Sequence, residues 1–260
     1  MSQAEQFWRD GYLIARAVFT PEEVAAFRAA ALERTERAAD LLSHPVLRKA
    51  LLNPGILAIY RELLGPELVY IGDSSTMIGP TAAGFHKDNV DKDDISGPDW
   101  KGRYTIVRAG IYTHDTARYP DGVDLRLGSH ETTDLRFGKH IQPDARIGDV
   151  IFWNLRTSHS GGAMKVLGRP LNPESVPGKI FRRLPFLRDK APGERVALFM
   201  SIAAPGPHLD RLIDYLKTRE YAITRWAASE WGEDARLAAW RAKVELRDVA
   251  IEPHHVANAH

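Results

Sequence analysis

The stretch Gly148-Asp149-Val150-Ile151-Phe152-Trp153, with His159 six residues further on, decides how the rest of the chain reads. Gly-Asp is a turn signal, and the run behind it is short, apolar and rich in β-branched and aromatic residues. That predicts a buried β-strand. A histidine just past the end of such a strand can reach into a cavity. Working outward, residues 68–78, 85–88, 104–112, 123–127 and 196–202 are further strand candidates. Gly79-Pro80, Gly97-Pro98, Pro120-Asp121-Gly122, Gly161-Gly162 and Pro192-Gly193 separate them. Many short strands with regular breaks suggest a sandwich or barrel, of which a jelly roll is one form.

The two ends of the chain read differently. Thr20 is placed to cap a helix, Pro21 suits its first position and Glu23 completes a capping box. Val24, Phe27, Ala31 and Leu32 then share one helical face. A second helix follows Asn53-Pro54, carries Ile56, Leu57, Tyr60, Leu63 and Leu64, and stops at Gly65-Pro66. Beyond Pro205-Gly206-Pro207 the helical period returns through Leu209, Leu212, Ile213 and Leu216, and later Leu237 and Trp240. Residues 163–194 fit neither period and hold five prolines. Loops of this length inside a domain are often lids or binding loops, although a plain surface insertion is the simpler reading.

Composition narrows the function classes. The chain has 260 residues, 44% of them hydrophobic, which suits one folded domain. A net charge of +1 argues against nucleic acid as the main partner, because phosphate recognition needs a concentrated basic surface. With no cysteine, disulfides, zinc-thiolate sites, iron–sulfur clusters and thiol nucleophiles are excluded. No apolar run reaches membrane-spanning length, so no membrane partner and a cytoplasmic location are expected.

Histidines and carboxylates carry the chemical signal. His86-Lys87-Asp88 lies where the chain can be extended, and there residues two apart share a face. With His159 they form a set of two histidines and one carboxylate, the ligand set of non-haem Fe(II) oxygenases. The same residues also read as a polar loop, since Lys87, Asn89, Asp91, Lys92, Asp93 and Asp94 surround them. His114, His130 and His140 compete with His159 for the distal place, without the same buried strand leading up to them. A second His-x-Asp, His208-Leu209-Asp210 with His254 downstream, is rejected. It opens a helical segment, where residues two apart point about 200° away from each other.

The order of several pieces is similar to the phytanoyl-CoA dioxygenase family of Fe(II)/2-oxoglutarate oxygenases. They are Phe7 and Asp10-Gly11-Tyr12-Leu13 with Thr20-Pro21-Glu22-Glu23-Val24; His86-Lys87-Asp88; Gly122 and Leu125-Arg126-Leu127-Gly128-Ser129-His130; Gly148-Asp149-Val150-Ile151-Phe152; and His159-Ser160-Gly161. The resemblance implies a mainly β fold with flanking helices around a double-stranded β-helix (jelly-roll, cupin-like) core. It implies Fe(II) held by His86, Asp88 and His159, with 2-oxoglutarate and O2 as co-substrates and succinate and CO2 as products. It also implies an arginine for the far carboxylate of 2-oxoglutarate, a short distance after the distal histidine at the start of the next strand. Here the chain departs from the pattern. Arg169 has the offset but sits in the loop region, whereas Arg195 opens the strand beyond the insertion and is preferred, because a strand holds a side chain more firmly.

One oxygenase domain over 1–260 is therefore expected: a helical part to about 66, a core over 67–204 containing the insertion, and a helical part over 205–250. Asp88 favours oxygenation over halogenation, since related halogenating enzymes replace this carboxylate with a small residue. The expected substrate is a small polar metabolite, saccharide or natural-product intermediate. Cations Lys179, Arg182, Arg183, Arg188 and Lys190 make the insertion a candidate for meeting an anionic group. The alternatives are a non-catalytic jelly-roll binding protein and a metal-dependent cupin-type enzyme that does not use 2-oxoglutarate. Oligomeric state is left open.

Overall fold

Two capping boxes open the chain. Ser2 and Glu5 start α1 (Gln3–Asp10), and Thr20 and Glu23 start α2 (Pro21–Glu33), each side chain accepting from the other's backbone N–H. Between them Tyr12–Ala15 form a short strand, β1. Two more helices follow, α3 (Arg48–Leu51) and α4 (Pro54–Leu64), the second capped by Asn53. The computed structural model describes residues 2–79, 81, 84–191 and 193–251. His254 of the rejected second motif, Pro80 and Pro192 therefore lie outside the described residues.

The core strands are β2 (Leu68–Tyr70), β3 (Ser74–Ile78), β4 (Ile106–Tyr112), β5 (Val123–Arg126), β6 (His140–Ile141), β7 (Val150–Asn154) and β8 (His159–Gly161). The segment expected to be continuous over 68–78 breaks at Gly72, whose φ of 81° ends one strand before the next begins. The insertion holds a hairpin, β9 (Met164–Val166) with β10 (Arg169–Leu171), and α5 (Val176–Arg183). The long strand β11 (Val196–Ala203) leads to α6 (Pro207–Leu216), α7 (Glu220–Ala228), α8 (Glu233–Arg241) and β12 (Val244–Leu246).

The main sheet runs β1-β7-β4-β11-β2-β12, with β3 also on β11. A smaller sheet, β6-β5-β8, faces it. Packing across the sheets explains the apolar run that opened the sequence reading. Val150 and Phe152 join Phe27, Leu57 and Tyr60 in a core under the N-terminal helices, whereas Ile151 and Trp153 meet Val123 and Leu125 between the sheets. β7 is thus covered on both faces, which removes the usual alternation with polar residues. The Phe152 and Tyr60 rings meet edge to face at 5.3 Å, and truncating Phe152 to Ala would cost about 3–5 kcal/mol. The turn feeding β7 requires glycine: Gly148 has φ 93°, and a Cβ there would lie 2.2 Å from the Phe19 carbonyl oxygen.

This is the expected jelly roll with flanking helices. Its first sixty-odd residues hold four helices, with turns over 34–47 and with β1, which forms the edge of the main sheet beside β7. The C-terminal helices pack Leu209, Leu212 and Leu216 against Tyr104, Ile106 and Leu155 at one end of the barrel. Among the described residues no helix is long and apolar enough to cross a membrane.

Candidate metal centre

Residues 85–88 are extended, as the spacing of His86 and Asp88 requires. Phe85 and Lys87 are buried on one side, and His86 and Asp88 line a cavity on the other. His86 and His159 exchange both backbone hydrogen bonds at 2.9 Å, so they face each other across an antiparallel bridge and project to the same side. The Asp88 N–H donates to the Leu155 carbonyl at 2.9 Å. Lys87 secures the segment from behind. Its Nζ donates to the carbonyls of Ser129 and Arg156, each at 2.6 Å. Burial, and then the nearby Arg156 charge, push this ammonium down to about 7.

The imidazoles are oriented by their other nitrogens. His86 Nδ1 lies 2.9 Å from the Gly84 carbonyl and His159 Nδ1 3.0 Å from the Thr157 carbonyl. A carbonyl only accepts, so each Nδ1 is the donor there, which directs each Nε2 towards Asp88 as the nitrogen available to a metal. His86 Nε2 is 3.6 Å from Asp88 Oδ1, and His159 Nε2 is 3.3 Å from Asp88 Oδ2. One ligand atom from each of the three lies within 4.8 Å of the others, the one such group of three or more among the described residues. Two imidazole nitrogens and a carboxylate oxygen on one side, open to a cavity on the other, fit an octahedral ion with vacant positions.

The sequence reading missed Arg108. It sits in β4, and its Nη1 donates to Asp88 Oδ2 at 2.6 Å. Its Nη2 donates to Asp73 Oδ2 at 3.0 Å, and Asp73 Oδ1 accepts from Arg225 Nη1 at 2.9 Å. Burial alone would raise the Asp88 carboxyl. Arg108 and the two imidazoles outweigh it and hold the group far below the usual carboxylate range. Burial, and then the His159 ring, push the His86 imidazole down, which keeps it neutral. The available sequence signal for Arg108 was a lone charge inside the otherwise apolar strand Ile-Val-Arg-Ala-Gly-Ile-Tyr, because such a charge needs a buried partner.

The cavity has a volume of about 410 Å³. Arg195 stands in its wall, 4% exposed, immediately before β11. Its Nε donates to the Asp121 carbonyl at 2.7 Å and its Nη1 to the Gly79 carbonyl at 3.3 Å, with the Tyr112 ring 5.7 Å away. Among the described residues it has no carboxylate within ion-pair distance, so its charge is not neutralised locally. Arg169 is exposed on the β9–β10 hairpin and is not in the cavity wall. Among the described residues of 163–194 none lines the cavity. The insertion packs elsewhere, with Lys165 Nζ on the Thr116 and Ala117 carbonyls and Glu174 on Arg126. Tyr215, Tyr221 and Arg225 of the C-terminal helical region, with Leu212 and Leu216, form the wall instead.

The competing histidines have structural partners. His114 Nε2 meets the Pro120 carbonyl, His130 Nε2 the Trp8 carbonyl, and His140 Nε2 lies 2.6 Å from Asp124 Oδ1. His208 lies in α6 with its Nδ1 on Thr105, and Asp210 pairs with Arg247, so the rejected motif has no shared focus. The Gly128-Ser129-His130 piece buttresses the centre: Ser129 accepts Lys87 on its carbonyl and the Ser158 N–H on its hydroxyl.

No family model matches the chain, and no curated protein matches it significantly. Solved structures do. The chain is similar to the non-heme monooxygenase ThoJ in its nickel complex, with TM-score 0.55 and 16% identity over 78% of each chain. It is similar to HygX from Streptomyces hygroscopicus with nickel and 2-oxoglutarate bound, with TM-score 0.55 and 18% identity over 78% of this chain and 85% of that one. It is also similar to the α-ketoglutarate-dependent epimerase SnoN from nogalamycin biosynthesis, with TM-score 0.53 and 17% identity over 78% of this chain and 81% of that one. Likeness at these identities establishes the fold, and it adds no support for the narrower phytanoyl-CoA dioxygenase resemblance.

Proposed function

We propose that the chain is an Fe(II)/2-oxoglutarate-dependent oxygenase acting on a small polar molecule. The observation that carries this reading is the convergence of His86 Nε2, His159 Nε2 and the Asp88 carboxylate on a cavity that also holds the un-neutralised Arg195. His86, Asp88 and His159 would hold the metal, and Arg195 would receive the far carboxylate of 2-oxoglutarate. A planar guanidinium suits a carboxylate, and a buried cation with only uncharged partners gains most from an incoming anion. Arg169, exposed on its hairpin, is the weaker candidate. Fold relatives with nickel and 2-oxoglutarate bound, or described as α-ketoglutarate-dependent, agree with this choice of cofactors.

When bound, the iron and 2-oxoglutarate together reduce O2 and supply an oxidant able to take hydrogen from an unactivated carbon, with succinate and CO2 released. The chain's own work is placement. The Gly84 and Thr157 carbonyls fix the imidazole tautomers, and Arg108 keeps Asp88 ionised. Trp153, Tyr112 and Phe199 furnish apolar walls beside the ligands. The C-terminal helical region, with Tyr215, Tyr221 and Arg225, closes the cavity and would select the substrate, and hydroxylation is the reaction proposed. The test is calorimetric titration of the purified protein with Mn(II) and then 2-oxoglutarate, followed by succinate release with Fe(II). Saturable binding of both and Fe(II)-dependent succinate are expected; binding of neither refutes the proposal.

A further inference from the structure

We propose that Arg108 is a positioning residue for Asp88, held in place by Asp73, which is itself tied to Arg225 of helix α7. This rests on the metal centre proposed above. Each donor of the Arg108 fork has its own fixed acceptor: Nε on Ser201 Oγ at 3.1 Å, Nη1 on Asp88 Oδ2 at 2.6 Å and Nη2 on Asp73 Oδ2 at 3.0 Å. The backbone beneath it is equally constrained. Arg108 lies in β4 opposite Trp153 of β7 on one side and Ser201 of β11 on the other, in the middle of the main sheet. A guanidinium held at three points on a paired strand has little freedom left.

Asp88 needs that rigidity. The segment that carries it belongs to no strand: its backbone meets the barrel through the isolated His86–His159 bridge and the Asp88 N–H bond to Leu155, and Lys87 anchors it from the side chain, but none of these contacts touches the Asp88 carboxylate. A carboxylate on such a segment would otherwise choose among rotamers. Arg108 takes Oδ2 and leaves Oδ1 without a guanidinium contact. Asp73 is tied in turn: its own carbonyl accepts the Ser201 N–H at 2.8 Å, and its Oδ1 receives Arg225 from α7. The result is an alternating, partly buried row, Asp88–Arg108–Asp73–Arg225, from the proposed metal ligand to the helix that walls the cavity. Arg108 faces two carboxylates, so its charge is already answered. It orients a ligand rather than capturing a free anion, a role that falls to Arg195.

The test uses the full chain and Mn(II). Wild type, Arg108→Met, Arg108→Lys, Asp73→Asn and Arg225→Met are compared for Mn(II) affinity, for the Mn(II) electron paramagnetic resonance line shape, and for 2-oxoglutarate affinity at saturating Mn(II). Removing a partner that orients a metal ligand commonly lowers affinity about 10- to 100-fold, and Arg108→Met is expected in that range. Arg108→Lys should recover part of the loss. Asp73→Asn and Arg225→Met should alter the line shape with a smaller loss of affinity. A folded Arg108→Met protein with wild-type affinity and line shape overturns the proposal. If Arg108→Met does not fold, Asp73→Asn decides: a wild-type line shape there overturns it, and an altered one supports it. Wild type that binds no Mn(II) refutes the metal centre itself, whereas binding wild type with unchanged variants refutes only the role of Arg108.

Discussion

Arg108 and Arg195 sit on or beside neighbouring strands, border one cavity and are both largely buried, yet their surroundings make them chemical opposites. Arg108 touches two carboxylates, whereas Arg195 touches backbone carbonyls and the uncharged Tyr112 side chain. A guanidinium between two anions is a brace; one between neutral dipoles keeps a charge for a ligand. The partner list, more than burial, tells structural from ligand-binding cations.

That contrast can be broken most directly at the metal centre it presupposes. His86→Ala and Asp88→Ala should each abolish Fe(II)-dependent succinate formation, and full turnover in either would remove the reason for both arginine assignments. Next in size, Arg195→Met should weaken 2-oxoglutarate binding about 100-fold, or about 2.7 kcal/mol, with Mn(II) affinity unchanged when 2-oxoglutarate is left out. A parallel loss of Mn(II) affinity would make Arg195 a second brace. A smaller effect sharpens the comparison from the stability side. Burial holds the His114 and His208 imidazoles below their ordinary value, so both take up a proton less readily in the folded chain than in the unfolded one. Their contribution is complete above the unfolded value near 6.5 and declines as pH falls through it, because the unfolded chain then binds the extra protons. Urea melts should show lower stability at pH 5 than at pH 7, with a shallower difference in His208→Gln; an unchanged difference would count against the assignment. Smallest of all, Arg169→Ala should change 2-oxoglutarate affinity less than about twofold, as expected for an exposed charge.

The sequence made long elements and chemically distinctive triplets legible. The strand after Gly148 is apolar because both of its faces are buried, and His86-Lys87-Asp88 shows its alternation because Lys87 turns inward while its neighbours turn to the cavity. The capped helices at Thr20 and Asn53 fall where their end signals place them. What escaped was short or cooperative. β1 and β8 have four and three residues, too few for a period to register. Arg108 acquires its meaning only from Asp73 and Asp88, 35 and 20 residues away. In α8 the large apolar side chains mislead: Leu237 and Trp240 are exposed while Ala235 and Ala239 face the core. The described residues of the cation-rich insertion stay away from the cavity, whose wall comes in part from helices that share no motif with the resemblance.

Lys87 has a consequence for the life of the protein without its ion. Its two carbonyl anchors fasten the strip between the ligands to the barrel whether or not iron is present. On the proposed reading, folding rather than chelation would therefore assemble the coordination shell. A chelator should strip the metal and leave the fold intact, lowering Tm only by the modest amount that mass action allows, unlike a zinc finger that collapses when emptied.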